Sequence, residues 1–401
     1  MNPIARVAGD GALRLVTLAI LFFGTFIASI SPYQSLLAVE WFGFSDAQYA
    51  VIFTTGAGLS LLCALGVGAM NDRTGRRRNA ARLAAGAGMA GALLAFLADA
   101  RWGYLVAHLL FFPISATLFA QLFTLSRLAG SIHPAEERAG IQTVVRAAFA
   151  VPFIVVLPLW AVILGAGADL LWVYAACAVA AGATLAIFVF RWPRDGQTRW
   201  PDPGSGLGLG AALREISAPS VLVRVAALAG VMAGIQIYMI LSGLILTATG
   251  RGTGDVALFA ALVAGTEIPF MLVMGRPILR WGPVRLIAGA ALLHAAFLTA
   301  FPLLGATPVV WLLAIVAGSA ASVILTVPML YLQDLLHRRP GAGGSLIALC
   351  NLGAQLIGAA IFAAGTALGG YALAAWIGAG VVAASGIAIA WLDRAGRPVY
   401  A

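Results

Sequence analysis

The chain is 401 residues long and contains no lysine, only three cysteines and only 10% charged residues. Each shortage excludes something. A soluble globular domain carries about 25% charged residues because its exterior must be wetted, and this sequence cannot supply such an exterior. The formal net charge of +9 comes from arginine alone. The arginines fall in short clusters between apolar runs rather than on one wettable face, so the basic surface that nucleic-acid binding needs is missing. Cys63, Cys177 and Cys350 all sit inside apolar runs, which gives neither a disulfide framework nor metal-ligand spacing. No pair of histidines has metal-ligand spacing either, and no nucleophile stands with a base. Neither a metal, a cofactor nor an enzymatic reaction is expected.

What is present is apolar: 62% of the residues are hydrophobic. A crossing of the bilayer takes about 20 residues, so a dozen crossings would use roughly 240 residues, about the apolar share of the chain. Runs broken by charge, proline or glycine give twelve spans, at 13–38, 47–70, 80–98, 103–127, 139–165, 169–190, 219–248, 255–275, 284–304, 308–335, 343–368 and 371–392. The splits at 165–169 and 368–371 rest on small residues alone, the second on Gly369-Gly370. Arg6 and Arg14 precede an apolar stretch from Leu15 to Val39. It is too long for a signal peptide and reads as the first span.

The arginines set an orientation. With the N-terminus inside, the inner segments hold Arg73, Arg76, Arg77, Arg78 and Arg82 and most of the others, while the outer loops hold only Arg101 and Arg251. Positive charge collects on the cytoplasmic side, so both termini are expected in the cytoplasm, with the chain multi-pass in a bacterial inner membrane. The polar stretch from Arg191 to Ser217 divides the spans six and six. The expected organisation is an N-terminal six-helix bundle at 1–192, a linker at 193–217 and a C-terminal bundle at 218–401. The glycines at 204, 206, 208 and 210 follow no strand and precede no Gly-Lys-Ser/Thr, so a flexible linker fits them better than a phosphate loop.

The two halves echo each other. After the second span stands Gly68-Ala69-Met70-Asn71-Asp72-Arg73-Thr74-Gly75-Arg76-Arg77, and after the eighth Gly275-Arg276-Pro277-Ile278-Leu279-Arg280-Trp281-Gly282. Two parallel six-span repeats suit a carrier that rocks about a midplane site.

The first of these loops resembles the loop between the second and third spans of the major facilitator superfamily. Within that superfamily the chain is similar to the bacterial sugar efflux transporters. The supporting stretches are Ala120-Gln121-Leu122-Phe123-Thr124-Leu125-Ser126-Arg127, Arg146, Gly265-Thr266-Glu267-Ile268-Pro269-Phe270-Met271-Leu272, and Met329-Leu330-Tyr331-Leu332-Gln333-Asp334-Leu335. The resemblance implies an all-α integral membrane fold of twelve transmembrane helices. It also implies export of small sugars or glycosides across the inner membrane, and alternating access as a proton antiporter is the expected mechanism. A multidrug exporter of the same fold is the rival reading, and a monomer in the lipid bilayer is the expected form.

Polar groups inside spans carry the site expectations, because a charged group at mid-bilayer costs about 2.5–3.5 kcal/mol on insertion scales. Glu267 lies roughly 18 Å into the eighth span, near the midplane, where a carboxylate can accept sugar hydroxyls, hold a coupling proton, or lock the span to a neighbour through a structural hydrogen bond. Arg146 lies about 12 Å into the fifth span and can orient a substrate or snorkel to the surface. The amides Gln34, Gln121, Gln236, Asn351 and Gln355 supply donors and acceptors without charge, and Tyr33 and Tyr238 add apolar faces. Each is as able to bond helices together, but the set favours an uncharged polar substrate. Asp72, Arg73, Gly75 and Arg76, with Gln333 and Asp334 in the second half, are candidates for contacts that bias one gating state over another. His294 reads as packing, and His108 lies near the outer end of the fourth span.

Overall fold

The computed structural model describes residues 3–200, 219–335 and 340–395. Among the described residues all regular structure is helical, as a bilayer demands: with no water available, a backbone inside hydrocarbon must satisfy its own polar groups. Eleven helices are long and apolar enough to cross a membrane. The last of them, Leu349–Asp393, has 45 residues, about 68 Å of helix at 1.5 Å per residue and so about twice the hydrocarbon thickness. Gly369 (φ −172°, ψ 17°) and Gly370 (φ 82°, ψ −167°) interrupt it, and a Cβ on Gly365 would lie 2.6 Å from the Ala374 nitrogen. The segment therefore turns back on itself and crosses twice, which makes twelve spans.

In order the spans are Gly11–Trp41, Asp46–Thr74, Arg77–Ala98, Arg101–Gly130, Ala135–Gly165, Trp172–Arg191, Pro219–Ala248, Thr253–Val273, Pro283–Leu304, Val310–Leu335, and the two arms of Pro340–Ala395. Short helices Pro3–Gly9 and Gly275–Trp281 flank the first and eighth. Two compact units form, residues 1–44 with 55–206, and residues 45–54 with 207–401. The expected linker falls for the most part on 201–218, outside the described residues.

In the first unit, Asp10 caps the first span by accepting from the amides of Ala12 (2.9 Å) and Leu13 (3.0 Å), as a helix start requires. The third span buries Ala81, Ala84, Ala85, Gly88, Gly91 and Ala92, and small residues of this kind let helix backbones approach closely where no water drives association. In both units large apolar side chains face outward: Leu97 is 74% exposed, Val179 74% and Leu368 77%. Exposure of that kind needs lipid around it.

Several arginines have structural work at span ends. Arg78 donates through Nε and Nη2 to the carbonyls of Phe188 and Val189, each at 2.8 Å. These belong to the last turn of the sixth span, whose carbonyls have no partner within the helix. Arg101 donates to the carbonyls of Phe42 (2.8 Å) and Gly43. In the second unit Arg251 donates to those of Gly305 (2.6 Å) and Thr307 (2.8 Å) and lies over the Trp311 ring. The two arginines that depart from the charge asymmetry are thus both spent in tying one loop to another. Arg224, at the start of the seventh span, pairs with Asp393 at 3.2 Å, and the Tyr331 hydroxyl donates to the same carboxylate at 2.9 Å. This joins the seventh, tenth and twelfth spans.

The turn at Gly370 gives a direct prediction. Its φ and ψ lie in a region essentially reserved for glycine, and a side chain there costs about 1–3 kcal/mol. Gly370→Ala is expected to lower the thermal midpoint of the detergent-solubilised protein. A thiol-reactive dye reporting exposure of Cys177 and Cys350, both buried, measures it.

Candidate functional site

The polar residues expected to carry function divide between the two units. In the second unit Glu267 is half-buried on the eighth span. The span is locally regular, with the Thr266 hydroxyl turned back to the Leu262 carbonyl at 2.8 Å. Gly318 of the tenth span packs against it. A Cβ on Gly318 would lie 2.8 Å from Cβ of Thr266 and 3.2 Å from the Glu267 nitrogen, so only a glycine lets the two helices meet there. Tyr238 stands on the seventh span of the same unit. Tyr238 is itself held by rings, with Phe259 at 6.2 Å and Phe297 at 5.8 Å between centroids.

Gln236, two residues before Tyr238, is half-buried and opposes the eleventh span, where a Cβ on Gly358 would lie 2.8 Å from its own Cβ. Asn351 and Gln355, on that same span, are half-buried as well. Among the described residues the side chains of Gln236, Asn351 and Gln355 make no hydrogen bond. An amide in an apolar span that bonds no neighbour is left to meet water or solute. The second unit thus presents one carboxylate, one tyrosine and three uncommitted amides.

In the first unit the expected residues are more varied in placement. Arg146 is exposed on the fifth span and has no partner among the described residues. A guanidinium facing lipid tails is costly, and both a polar solute and a snorkel to the inner surface answer that cost. Gln34 is half-buried, and its Nε2 lies 3.1 Å from His108 Nδ1. Gln121 is buried and donates through Nε2 to the Thr117 hydroxyl at 2.9 Å, leaving Oε1 without a partner among the described residues. Tyr33 is wholly buried in the interior of the unit, its hydroxyl likewise unpaired.

At the loop after the second span, Gly75 has φ +63°, a left-handed conformation that glycine adopts without cost, and Arg76 is exposed. The helix runs through Asp72 and Arg73, but their side chains lie outside the described residues, as do those of Gln333 and Asp334. His294 of the ninth span is fully buried, 5.4 Å from the Phe297 ring.

Sequence reasoning passed over Arg224 and Asp393, the pairing of His108 with Gln34, and the role of Gly318. Only an intramembrane arginine at 224 left a signal that could have been read.

Residues 15–359 match the family model of the Major Facilitator Superfamily. The chain is 25% identical over 361 residues to a protein of Deinococcus radiodurans named "Putative sugar efflux transporter", covering 89% of this chain and 91% of that one. Among solved structures it resembles the nucleoside transporter NupG, with a TM-score of 0.72, 14% identity, and coverage of 94% of this chain and 97% of that chain. It also resembles a D-xylose–proton symporter, with a TM-score of 0.71, 16% identity, and coverage of 96% and 98%. At those identities the structural likenesses speak for the fold.

Proposed function

Because the chain belongs to the Major Facilitator Superfamily, and is a transporter rather than an enzyme, we propose that it exports small sugars or glycosides by alternating access, coupled to proton entry. The observation that carries this reading is the composition of the polar set in the second unit: the carboxylate Glu267, the tyrosine Tyr238, and three amides with no partner among the described residues. Neutral amides match the paired donors and acceptors of a sugar, and a tyrosine offers a flat face to its ring. A single carboxylate that moves between aqueous faces can carry a proton one way while sugar moves the other. The 25% identity to the D. radiodurans protein supports the sugar class. The arginine asymmetry supports cytoplasmic termini and insertion in a bacterial inner membrane.

In this mechanism the two bundles expose the site alternately to either side, and a ligand shifts the balance by its differential affinity for the two states. Asp72, Arg73, Gly75 and Arg76, with Gln333 and Asp334, would bias that balance at the cytoplasmic end.

The test is flux from proteoliposomes loaded with labelled D-glucose, D-xylose or maltose, with and without an imposed proton gradient. Release of at least one sugar that accelerates when the outside is acidified is the expected result. If no sugar moves but apolar cationic drugs do, the multidrug reading replaces this one.

A further inference from the structure

The first unit contains a buried polar chain that sugar export does not by itself require. His108 of the fourth span is 5% exposed and bridges two other spans. Its Nδ1 lies 3.1 Å from Nε2 of Gln34 on the first span, and its Nε2 lies 2.9 Å from the hydroxyl of Tyr174 on the sixth. One turn earlier, Tyr104 stacks on the imidazole at 3.9 Å with the rings 17° apart. The Tyr104 hydroxyl donates to the backbone carbonyl of Gln34 at 3.3 Å. Both ring nitrogens and the Gln34 backbone are therefore committed.

The chemistry of these groups fixes their direction. The amide nitrogen of glutamine only donates, and a neutral imidazole has one donor and one acceptor. With Gln34 Nε2 facing Nδ1, that nitrogen accepts, the ring proton sits on Nε2, and Nε2 donates to Tyr174. The amide nitrogen is thus occupied within the bundle. The carbonyl oxygen of the same half-buried side chain makes no hydrogen bond among the described residues. An acceptor left open in an apolar span needs a donor from water or solute, because hydrocarbon offers none.

Local winding supports a purpose beyond packing. The first span passes through a 3₁₀ turn at Ser31–Tyr33 and a π turn at Leu37–Trp41, and the fourth carries a π turn at Ala107–Phe111. Turns of this kind weaken backbone hydrogen bonding and concentrate at functional sites. Gln34 lies between the two irregular turns of its span, and His108 lies within the π turn of the fourth.

We propose that His108 is a positioning residue: it holds the Gln34 amide so that the carbonyl oxygen is presented, and this station on the path reads a hydroxyl donor of the substrate. The inference rests on the sugar-export reading for the identity of the donor. A glutamine free to flip would offer either end of its amide, whereas one tethered through Nε2 offers an acceptor alone.

Two measurements on the full chain test it. In lipid nanodiscs with ¹⁵N-labelled histidine, the signals that vanish in His108→Asn are expected to show a non-protonated Nδ1 and a protonated Nε2, with Nδ1 shifting in Gln34→Leu. A proton found on Nδ1 would mean that the amide is turned the other way and overturns the proposal. In proteoliposomes carrying D-glucose, D-xylose or maltose, His108→Phe is expected to raise KM about tenfold, roughly the worth of one hydrogen bond, with maximal flux changed less than about twofold. His108→Asn keeps an acceptor near the position of Nδ1 and should restore KM to within about threefold of the parent. Equal KM for the parent and the phenylalanine variant, or an asparagine variant as impaired as the phenylalanine one, defeats the positioning role. Should the parent protein carry no sugar at all, the export reading falls, and the nitrogen signals alone decide for or against His108.

Discussion

Glu267→Gln is expected to erase the response of sugar flux to an imposed proton gradient while leaving the protein folded and its sugar site largely intact. Glutamine keeps the shape of the side chain, so the contact of the eighth span with Gly318 and the packing of Tyr238 between Phe259 and Phe297 are undisturbed. What is lost is the proton that a carboxyl can take up and release. One coupled proton moving down a gradient of one pH unit supplies about 1.4 kcal/mol, a factor of about ten in the concentration ratio it can sustain. Each unit of imposed gradient should therefore raise the steady-state sugar ratio about tenfold in the parent and leave it near one in the variant. Exchange of labelled for unlabelled sugar without a gradient needs no net proton movement and should persist. If the variant still accumulates sugar against its gradient, coupling resides elsewhere. If exchange collapses as well, Glu267 holds the sugar rather than the proton.

The twelve crossings were legible in the sequence because the bilayer leaves few alternatives. A run of about 20 apolar residues in this composition can only be a helix, and even the turn at Gly369-Gly370 was marked by two residues that tolerate conformations denied to others. The partners of individual side chains were not legible. Gln34 and His108 are 74 residues apart, and nothing in the apolar pattern aligns one helix face with another. Arg78 reads as topogenic charge yet also caps the carbonyls of the sixth span, because charge counts along a chain do not say where a guanidinium reaches. Tyr33 and Gln34 are neighbours in sequence and read alike, but one is wholly buried and the other half-buried, since successive residues point about 100–120° apart where a 3₁₀ turn meets an α-helix. Gly318 is one of 47 glycines, and only the approach of a second backbone distinguishes it.

That approach makes Gly318→Ala the most informative stability variant. A Cβ at this position would fall within contact distance of the Val263 carbonyl, 2.8 Å from Cβ of Thr266 and 3.2 Å from the Glu267 nitrogen. Two of these are backbone atoms, which cannot turn aside as the tip of a side chain could. The tenth span must back away from the eighth, and overpacking of this sort costs about 1–3 kcal/mol. The displacement acts at the residue that carries the proposed coupling carboxylate. Misplacement by about 1 Å is enough to cost up to a hundredfold where geometry governs rate, so gradient-driven flux should fall more steeply than the thermal midpoint does. Gly289→Ala on the ninth span provides the comparison, since nothing lies within 4 Å of a Cβ there. Alanine exceeds glycine in helix propensity by up to about 1 kcal/mol, and that variant should match or exceed the parent in stability and transport normally. Equal behaviour of the two variants would mean that the eighth and tenth spans are not in the close register on which the placement of Glu267 depends.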